Sequence, residues 1–192
     1  MSGVEDGPDG RPRCSWCLSA PDYLDYHDSE WGKPLHGETE LFERLTLEAF
    51  QSGLSWLTIL RKRENFRKAF DGFDVEEVAG YGAEDVKRLL SDVGIVRNRM
   101  KIDAAITNAR AVREMHANGE SLDALIWSFA PDPGSRPVPE SFANLESITE
   151  ESKAMAKELK RRGFVFVGPT TAYATMEAIG VVNDHLAGCA FR

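Results

Sequence analysis

Short apolar stripes at three- and four-residue spacing recur along this chain, and each ends at a glycine or a polar turn. That pattern admits little besides a stack of short helices. Leu41, Phe42, Leu45 and Ala49 form the first stripe, ended by Gly53. Ser55 is placed to cap a second helix with Trp56, Ile59, Leu60 and Phe70 inward. Asp74 and Glu77 stand at capping-box spacing ahead of a short helix. Val86, Leu89, Leu90 and Val93 form a stripe closed by Gly94, and Ile102, Ile106, Ala109 and Val112 another closed by Gly119. Ser121 can cap a helix carrying Leu122, Leu125, Ile126 and Phe129. PDPGSRPVPE (131–140) is a clear loop, and a basic helix from Lys153 to Arg162 stops at Gly163. FVFV (164–167) reads as a short strand. Pro169 suits the first turn of a last helix, which Gly180 can end. The expected fold is all-α, with the segments on either side of the 131–140 loop as two lobes.

A chain of 192 residues can bury most of its unfolded surface around one core. Residues 1–12, acidic and poor in apolar side chains, are expected to be a disordered tail ahead of a single domain at 13–192. No apolar run is long enough to span a bilayer, and the first residues lack the apolar stretch of a signal peptide. The expected compartment is the cytoplasm. The net charge of −8 argues on its face against a nucleic-acid partner. The charge is uneven, however: the first 48 residues hold eleven carboxylates against four Lys or Arg, while basic runs lie at 61–68, 97–101 and 153–162. Each run alone reads as a solvated helix face, but local patches rather than net charge govern phosphate binding.

Three cysteines in a chain with no export signal do not suggest a disulfide framework. Two residues separate Cys14 from Cys17, and His185 lies four positions before Cys189. Zinc sites take four Cys or His ligands, often in two local pairs. Spacing leaves open whether Cys17 or His27 completes such a set, and buried cysteines with surface histidines are an equal alternative. His36 and His116 stand alone and read as surface residues. Glu48 falls on the stripe of Leu41 and Leu45, so its carboxylate points inward or into a cleft unless it snorkels at the helix end. Trp16, Tyr23, Tyr26, Trp31 and Trp56 sit among polar and turn residues, which places their rings beside a loop or cleft. In SDVGIVRNRMKI (91–102), two helical patterns meet at Gly94, with Arg97, Arg99 and Lys101 just behind. Such a hairpin can offer a phosphate the amides of a helix N-terminus, or be an ordinary turn before a charged helix start.

RCSW (13–16), YLDYHDSEWG (23–32), LFERLTLEAFQSGLSWLTILRKRENFRKAF (41–70), DVGIVRNRMKI (92–102), RGFVFVGPTTAY (162–173) and GVVNDHLAGC (180–189) together resemble the constitutive bacterial type I DNA-3-methyladenine glycosylases. The resemblance covers nearly the whole chain from Arg13 to Cys189. It implies a helix-hairpin-helix glycosylase fold with Gly94 in the hairpin. It implies one structural zinc on Cys14, His27, His185 and Cys189, with Cys17 a bystander. It implies a base pocket of Trp16, Tyr26, Glu48 and Trp56, in which Tyr26, Glu48 and Trp56 act on the base. It further implies DNA contacts from Gly53 and Leu54 near the extruded base, and from Gly94, Arg97, Arg99 and Lys101 at the hairpin. The implied activity is hydrolysis of the N-glycosidic bond of 3-methyladenine in alkylated double-stranded DNA, by a monomer in the bacterial cytoplasm, releasing the free base and leaving the strand intact. The family lacks a catalytic Asp after the hairpin, so Asp132 and Asp184 receive no such role. The chain departs from the family in its acidic N-terminal extension and in Met100, where the family often has Gly. Two rivals fit less well. A zinc hydrolase needs an open ligand position, and a non-enzymatic DNA-binding regulator gives Glu48 and the aromatic rings no purpose.

Overall fold

The computed structural model describes residues 3–192. A two-stranded antiparallel hairpin, β1 (Val4–Asp6) and β2 (Pro12–Cys14), precedes the helices. These are α1 (Pro21–Ser29), α2 (Glu38–Gln51), α3 (Trp56–Ala69), α4 (Val75–Gly80), α5 (Ala83–Ser91), α6 (Arg99–Ala117), α7 (Leu122–Trp127), α8 (Glu150–Arg161) and α9 (Pro169–Ala178). Side-chain caps set several starts. Ser55 accepts from the Thr58 amide, Asp74 from those of Glu76 and Glu77, and Ser121 from that of Ala124. Each such cap is worth about 1 kcal/mol.

One apolar cluster runs through the molecule. It includes Leu41, Phe42 and Phe50 of α2, Phe66 of α3, Ile102 and Val112 of α6, Ile126 of α7, Leu159 of α8 and Met176 of α9. Phe50, Phe66, Phe70 and Phe73 stack in sequence along it, with ring centroids 4.8 to 6.2 Å apart. The segments on the two sides of the 131–140 loop therefore share a core. In this arrangement α2 packs on α3 and α9, and α1 packs on α3.

Three segments differ from the sequence-based expectation. Residues 164–167 form no strand. The Asn108 side chain accepts from the Val165 amide at 2.8 Å and donates to its carbonyl at 3.1 Å, and Phe166 adopts φ +61°. A side chain thus takes the backbone groups that a neighbouring strand would need. Val93 is 74% exposed because α5 ends at Ser91 and leaves it on the hairpin tip. The N-terminal extension, expected to be disordered, is a hairpin that places Val4 opposite Cys14. Its apolar partners come from the far end of the chain: Val4 and Phe191 pack with Cys14, Leu186 and Cys189. Arg13 is 4% exposed and bonds both Asp9 and Asp28, so Asp9 ties the extension to α1 through Arg13.

Candidate active site

The pocket starts from α2. Its sequence buries not only Leu41, Leu45 and Phe50 but also Arg44, Thr46 and Glu48, since neighbours cover the helix on nearly every side. Glu48 therefore does not snorkel; it is 5% exposed. Burial pushes its carboxyl up to about 7, opposed only by the charge of Arg44 one turn earlier. No hydrogen bond to protein holds the carboxylate among the described residues. A buried carboxylate left in that state is costly unless a partner arrives.

Glu48 faces a cavity of about 190 Å³. Trp16, Tyr26, Glu48 and Trp56, the residues expected to form a base pocket, all line it, together with Tyr23, Trp31, Gln51, Ala174 and Glu177. That volume lies below the roughly 300–1,000 Å³ of drug-sized sites, which suits one flat ring system. The walls brace one another: Trp16 meets Tyr23 at 5.3 Å and Trp31 at 5.1 Å edge to face, and Tyr26 lies 5.5 Å from Trp56. The Tyr23 hydroxyl accepts from the Leu57 amide at 2.8 Å, pinning α1 to the start of α3. Arg44 lies behind Tyr26 and Trp56, 5.5 and 5.6 Å from their ring centroids, and pairs with Glu30 at 3.1 Å. Among the described residues, the Trp56 indole N–H is buried with no partner. An acceptor and a donor without partners thus occur on residues of one aromatic cavity.

Glu177 was not foreseen, although it carries the same signal as Glu48: an acid between buried apolar neighbours, here Met176 and Ala178 on α9. Tyr23 and Trp31, whose polar and turn neighbours in the sequence point to a cleft, fall on the cavity wall.

A second cluster lies directly behind Trp16 and Tyr26. Ligand atoms of Cys14, His27 and Cys189 lie within 4.8 Å of one another, all buried, and could hold a metal ion. His185 packs its ring against His27 with centroids 4.6 Å apart. The His27 Nδ1 is 2.7 Å from Asp28 Oδ1, and the His185 Nδ1 is 2.8 Å from Asn183 Oδ1. Each imidazole thus has Nδ1 engaged by a side-chain oxygen, as metal-binding histidines do, while His27 Nε2 lies 3.5 Å from Cys189 Sγ and His185 Nε2 lies 3.3 Å from the His27 carbonyl oxygen. Hydrogen bonds from Cys14 and then His27 pull the Cys189 thiol down to about 3, while sharing with Cys189 and burial push Cys14 up. Two sulfurs and an imidazole are a donor set that suits zinc. Of the two alternatives that spacing left open, His27 belongs to the group; Cys17 is buried nearby but outside it.

The DNA-contact expectations divide. Gly53 adopts φ +79° and Leu54 is 41% exposed, in a turn between the pocket residues Gln51 and Trp56. Gly94 stands at the hairpin between α5 and α6, where an added Cβ would lie 3.1 Å from Asn65. Its amide, however, donates to Asp92 Oδ1 at 2.7 Å and is not free for a phosphate. Arg97 is exposed on the hairpin, while Arg99 pairs with Asp103 at 2.9 Å. Lys101 does not extend toward solvent. It is 8% exposed and donates to the carbonyl oxygens of Phe50 at 2.8 Å and Ser52 at 2.5 Å. Its place in the first turn of α6 points it at the end of α2, whose last carbonyls need donors.

Fold and site together define a helical protein with an aromatic, acid-bearing cavity for a flat ring, backed by a Cys and His cluster that joins the two chain ends. The chain belongs to the methyladenine glycosylase family, whose profile matches residues 16–192. It is 46% identical over 177 residues to DNA-3-methyladenine glycosylase 1 of Escherichia coli (strain K12), covering 92% of this chain and 95% of that protein. A crystal structure of 3-methyladenine DNA glycosylase I superposes with a TM-score of 0.88 at 47% identity, covering 93% of this chain and 98% of that one. A structure describing 3-methyladenine recognition by the Staphylococcus aureus 3-methyladenine DNA glycosylase I gives 0.84 at 35% identity, over 93% and 95% of the two chains.

Proposed function

We propose that this chain is a base-excision repair glycosylase that hydrolyses the bond between 3-methyladenine and deoxyribose in alkylated DNA. The observation that carries the reading is Glu48: a buried, unpartnered carboxylate inside an aromatic cavity the size of one base. Its partner is a base that arrives with N–H donors and positive charge.

Methylation at N3 makes the adenine of a nucleotide cationic and a good leaving group, so strong acid catalysis is not required. The target lies inside a duplex and must be extruded, at a few kcal/mol for unstacking. Trp16, Tyr26 and Trp56 offer ring faces to the extruded base, and a cation over such a face gains ~0.5–2 kcal/mol. Glu48 accepts hydrogen bonds from the base edge and complements its charge. The bond to the sugar breaks with the electron pair leaving on the base, water supplies the new bond at C1′, and the free base departs. The exposed Leu54 and the Gly53 turn, next to Gln51 and Trp56, are placed to meet DNA where the base leaves the stack. Arg97 and the α5–α6 hairpin are the second contact, in the manner of a helix-hairpin-helix element.

Cys14, His27, His185 and Cys189 would hold one zinc ion, which supplies a structural cross-link when four protein ligands close its shell. These ligands bring Trp16 and Tyr26, each adjacent in sequence to the cluster or its loop, into one wall.

Incubating the protein with methylated DNA and separating the released bases tests the activity. The expected product is free 3-methyladenine on an unbroken strand. Failure to release it, or strand nicking by the protein alone, contradicts the reading.

A further inference from the structure

The cavity carries a second carboxyl that the mechanism above leaves without a task. Glu177 lies on α9, one turn beyond Tyr173, and lines the same cavity as Glu48. Two ionised acids on so small a cavity would repel each other. The side chains behind Glu177 remove that conflict. Asp184 is 2% exposed, accepts from the Tyr173 hydroxyl at 2.5 Å and pairs with Arg136 at 3.2 Å. Arg136 also donates to the Tyr173 hydroxyl at 2.6 Å. A cation and a hydroxyl donor thus both face the Asp184 carboxyl.

The Glu177 carboxyl lies close enough to Asp184 for the pair to share a proton. A hydrogen bond between two carboxyls needs a proton, and burial followed by the Asp184 charge raises the Glu177 proton affinity well above the ordinary range. Glu177 is therefore the donor, and its single O–H is used on Asp184. The other oxygen is an acceptor that adds no charge to the cavity.

We propose that Glu177 is a specificity-determining residue of the pocket: tied to Asp184 through one carboxyl oxygen, it offers the other to an amino group on the edge of the bound base, alongside Glu48. The proposal rests on the cavity being the base site. An exocyclic amine has two N–H groups, and Glu48 with Glu177 supplies acceptors for both. A 6-oxo purine in the same place would set lone pairs against lone pairs, a repulsion that discriminates as strongly as a gained contact. Glu177→Gln preserves the arrangement, since the amide N–H₂ donates to Asp184 while its carbonyl faces the base. Glu177→Leu keeps the bulk and loses both bonds.

The test titrates free 3-methyladenine and 3-methylguanine calorimetrically into the wild type, Glu177→Gln, Glu177→Leu and Glu48→Gln, with zinc content and melting temperature recorded for each. Glu177→Leu is expected to bind 3-methyladenine roughly 5–10-fold more weakly, the worth of one neutral hydrogen bond, and to lose part of its preference over 3-methylguanine. Glu177→Gln is expected to recover most of the affinity and all of the preference. Glu177→Met, unbranched and of similar length, replaces Glu177→Leu if that variant does not fold. Wild-type affinity and preference in the apolar variant, with Glu48→Gln impaired, overturn the role of Glu177 and leave the pocket standing. Equal losses in Glu177→Gln and Glu177→Leu overturn it too, because charge rather than an acceptor would then be at work. If Glu48→Gln also binds normally, the cavity is not the base site and the underlying reading falls first.

Discussion

The ammonium of Lys101, in the first turn of α6, donates to the carbonyl oxygens of Phe50 and Ser52 where α2 ends. This bond links the hairpin's second helix to the turn that carries Gly53 and Leu54. Lys101 thus ties the Gly53–Leu54 turn to α6, and its ammonium is spent on backbone carbonyls. Lys101→Met is expected to destabilise the fold by about 1.5–3 kcal/mol, since charge-assisted bonds are lost and two carbonyls lose their donor. It should slow excision while leaving the salt dependence of binding to undamaged DNA as in the wild type. A salt slope lower by about 0.9 in the mutant would instead mark Lys101 as a phosphate contact.

The course of Lys101 also shows how far the sequence could be read. Stripes such as Ile102, Ile106, Ala109 and Val112 predicted α6 because its buried face has one period and a defined stop at Gly119. The pocket residues were legible through Glu48, an acid where the helical period demands an apolar side chain. Lys101 was misread because a long basic side chain carries no sequence mark of which way it turns, and its acceptors lie about fifty positions away. The N-terminal hairpin was hidden for the same reason. Asp9 and Arg13 look like solvated charges until Asp28 and Phe191 are brought beside Arg13. Phe166, with φ +61°, defeated the strand expectation, since four apolar residues in a row cannot announce a left-handed backbone.

Arg13 joins the N-terminal hairpin to the Cys and His cluster. It bonds Asp9 at 2.8 Å and Asp28 at 2.8 Å, and Asp28 in turn holds His27 Nδ1 at 2.7 Å. Outer-shell partners of this kind typically change metal affinity 10–100-fold. Arg13→Met is therefore expected to release metal to a chelator at least tenfold faster than the wild type. The release rate, followed with a colorimetric zinc indicator, checks this; an unchanged rate would show that Asp28 orients His27 without help.

Cys14 and Cys17 are both fully buried, but only Cys14 joins the cluster with His27 and Cys189. Cys14→Ala is expected to lose the bound zinc and much of the stability it confers, which is on the order of 10 kcal/mol in small zinc-dependent domains and a fraction of that here. Cys17→Ala should retain one zinc per chain. Metal analysis of the two purified variants decides the matter, and zinc loss in Cys17→Ala alone would reverse the assignment.

Burial holds the Glu48 carboxyl up at about 7, above its ordinary value of 4.5. A folded state that binds this proton more tightly than the unfolded chain loses stability as pH rises from about 4.5 through about 7. Glu48→Gln removes that dependence. The variant is expected to match the wild type near pH 4.5 and to exceed it at pH 8 by up to about 3 kcal/mol, a value set by the size of the shift. Excision should show the opposite trend, because only the ionised carboxylate complements a cationic base. Wild-type kcat/KM is thus expected to rise as pH passes through 7, and that limb should be absent from Glu48→Gln. Chemical denaturation and excision rates measured across this range check both trends; parallel pH profiles in the two proteins would show that another group titrates.

Recognition of the damaged base by the Glu48 carboxylate is measured by titrating free 3-methyladenine into Glu48→Gln at pH 8, beside circular dichroism and metal content. The expected result is an intact, zinc-loaded protein that binds the base roughly 10–100-fold more weakly, from loss of one charge-assisted hydrogen bond of about 1.5–3 kcal/mol. Wild-type affinity in an intact Glu48→Gln protein would contradict it.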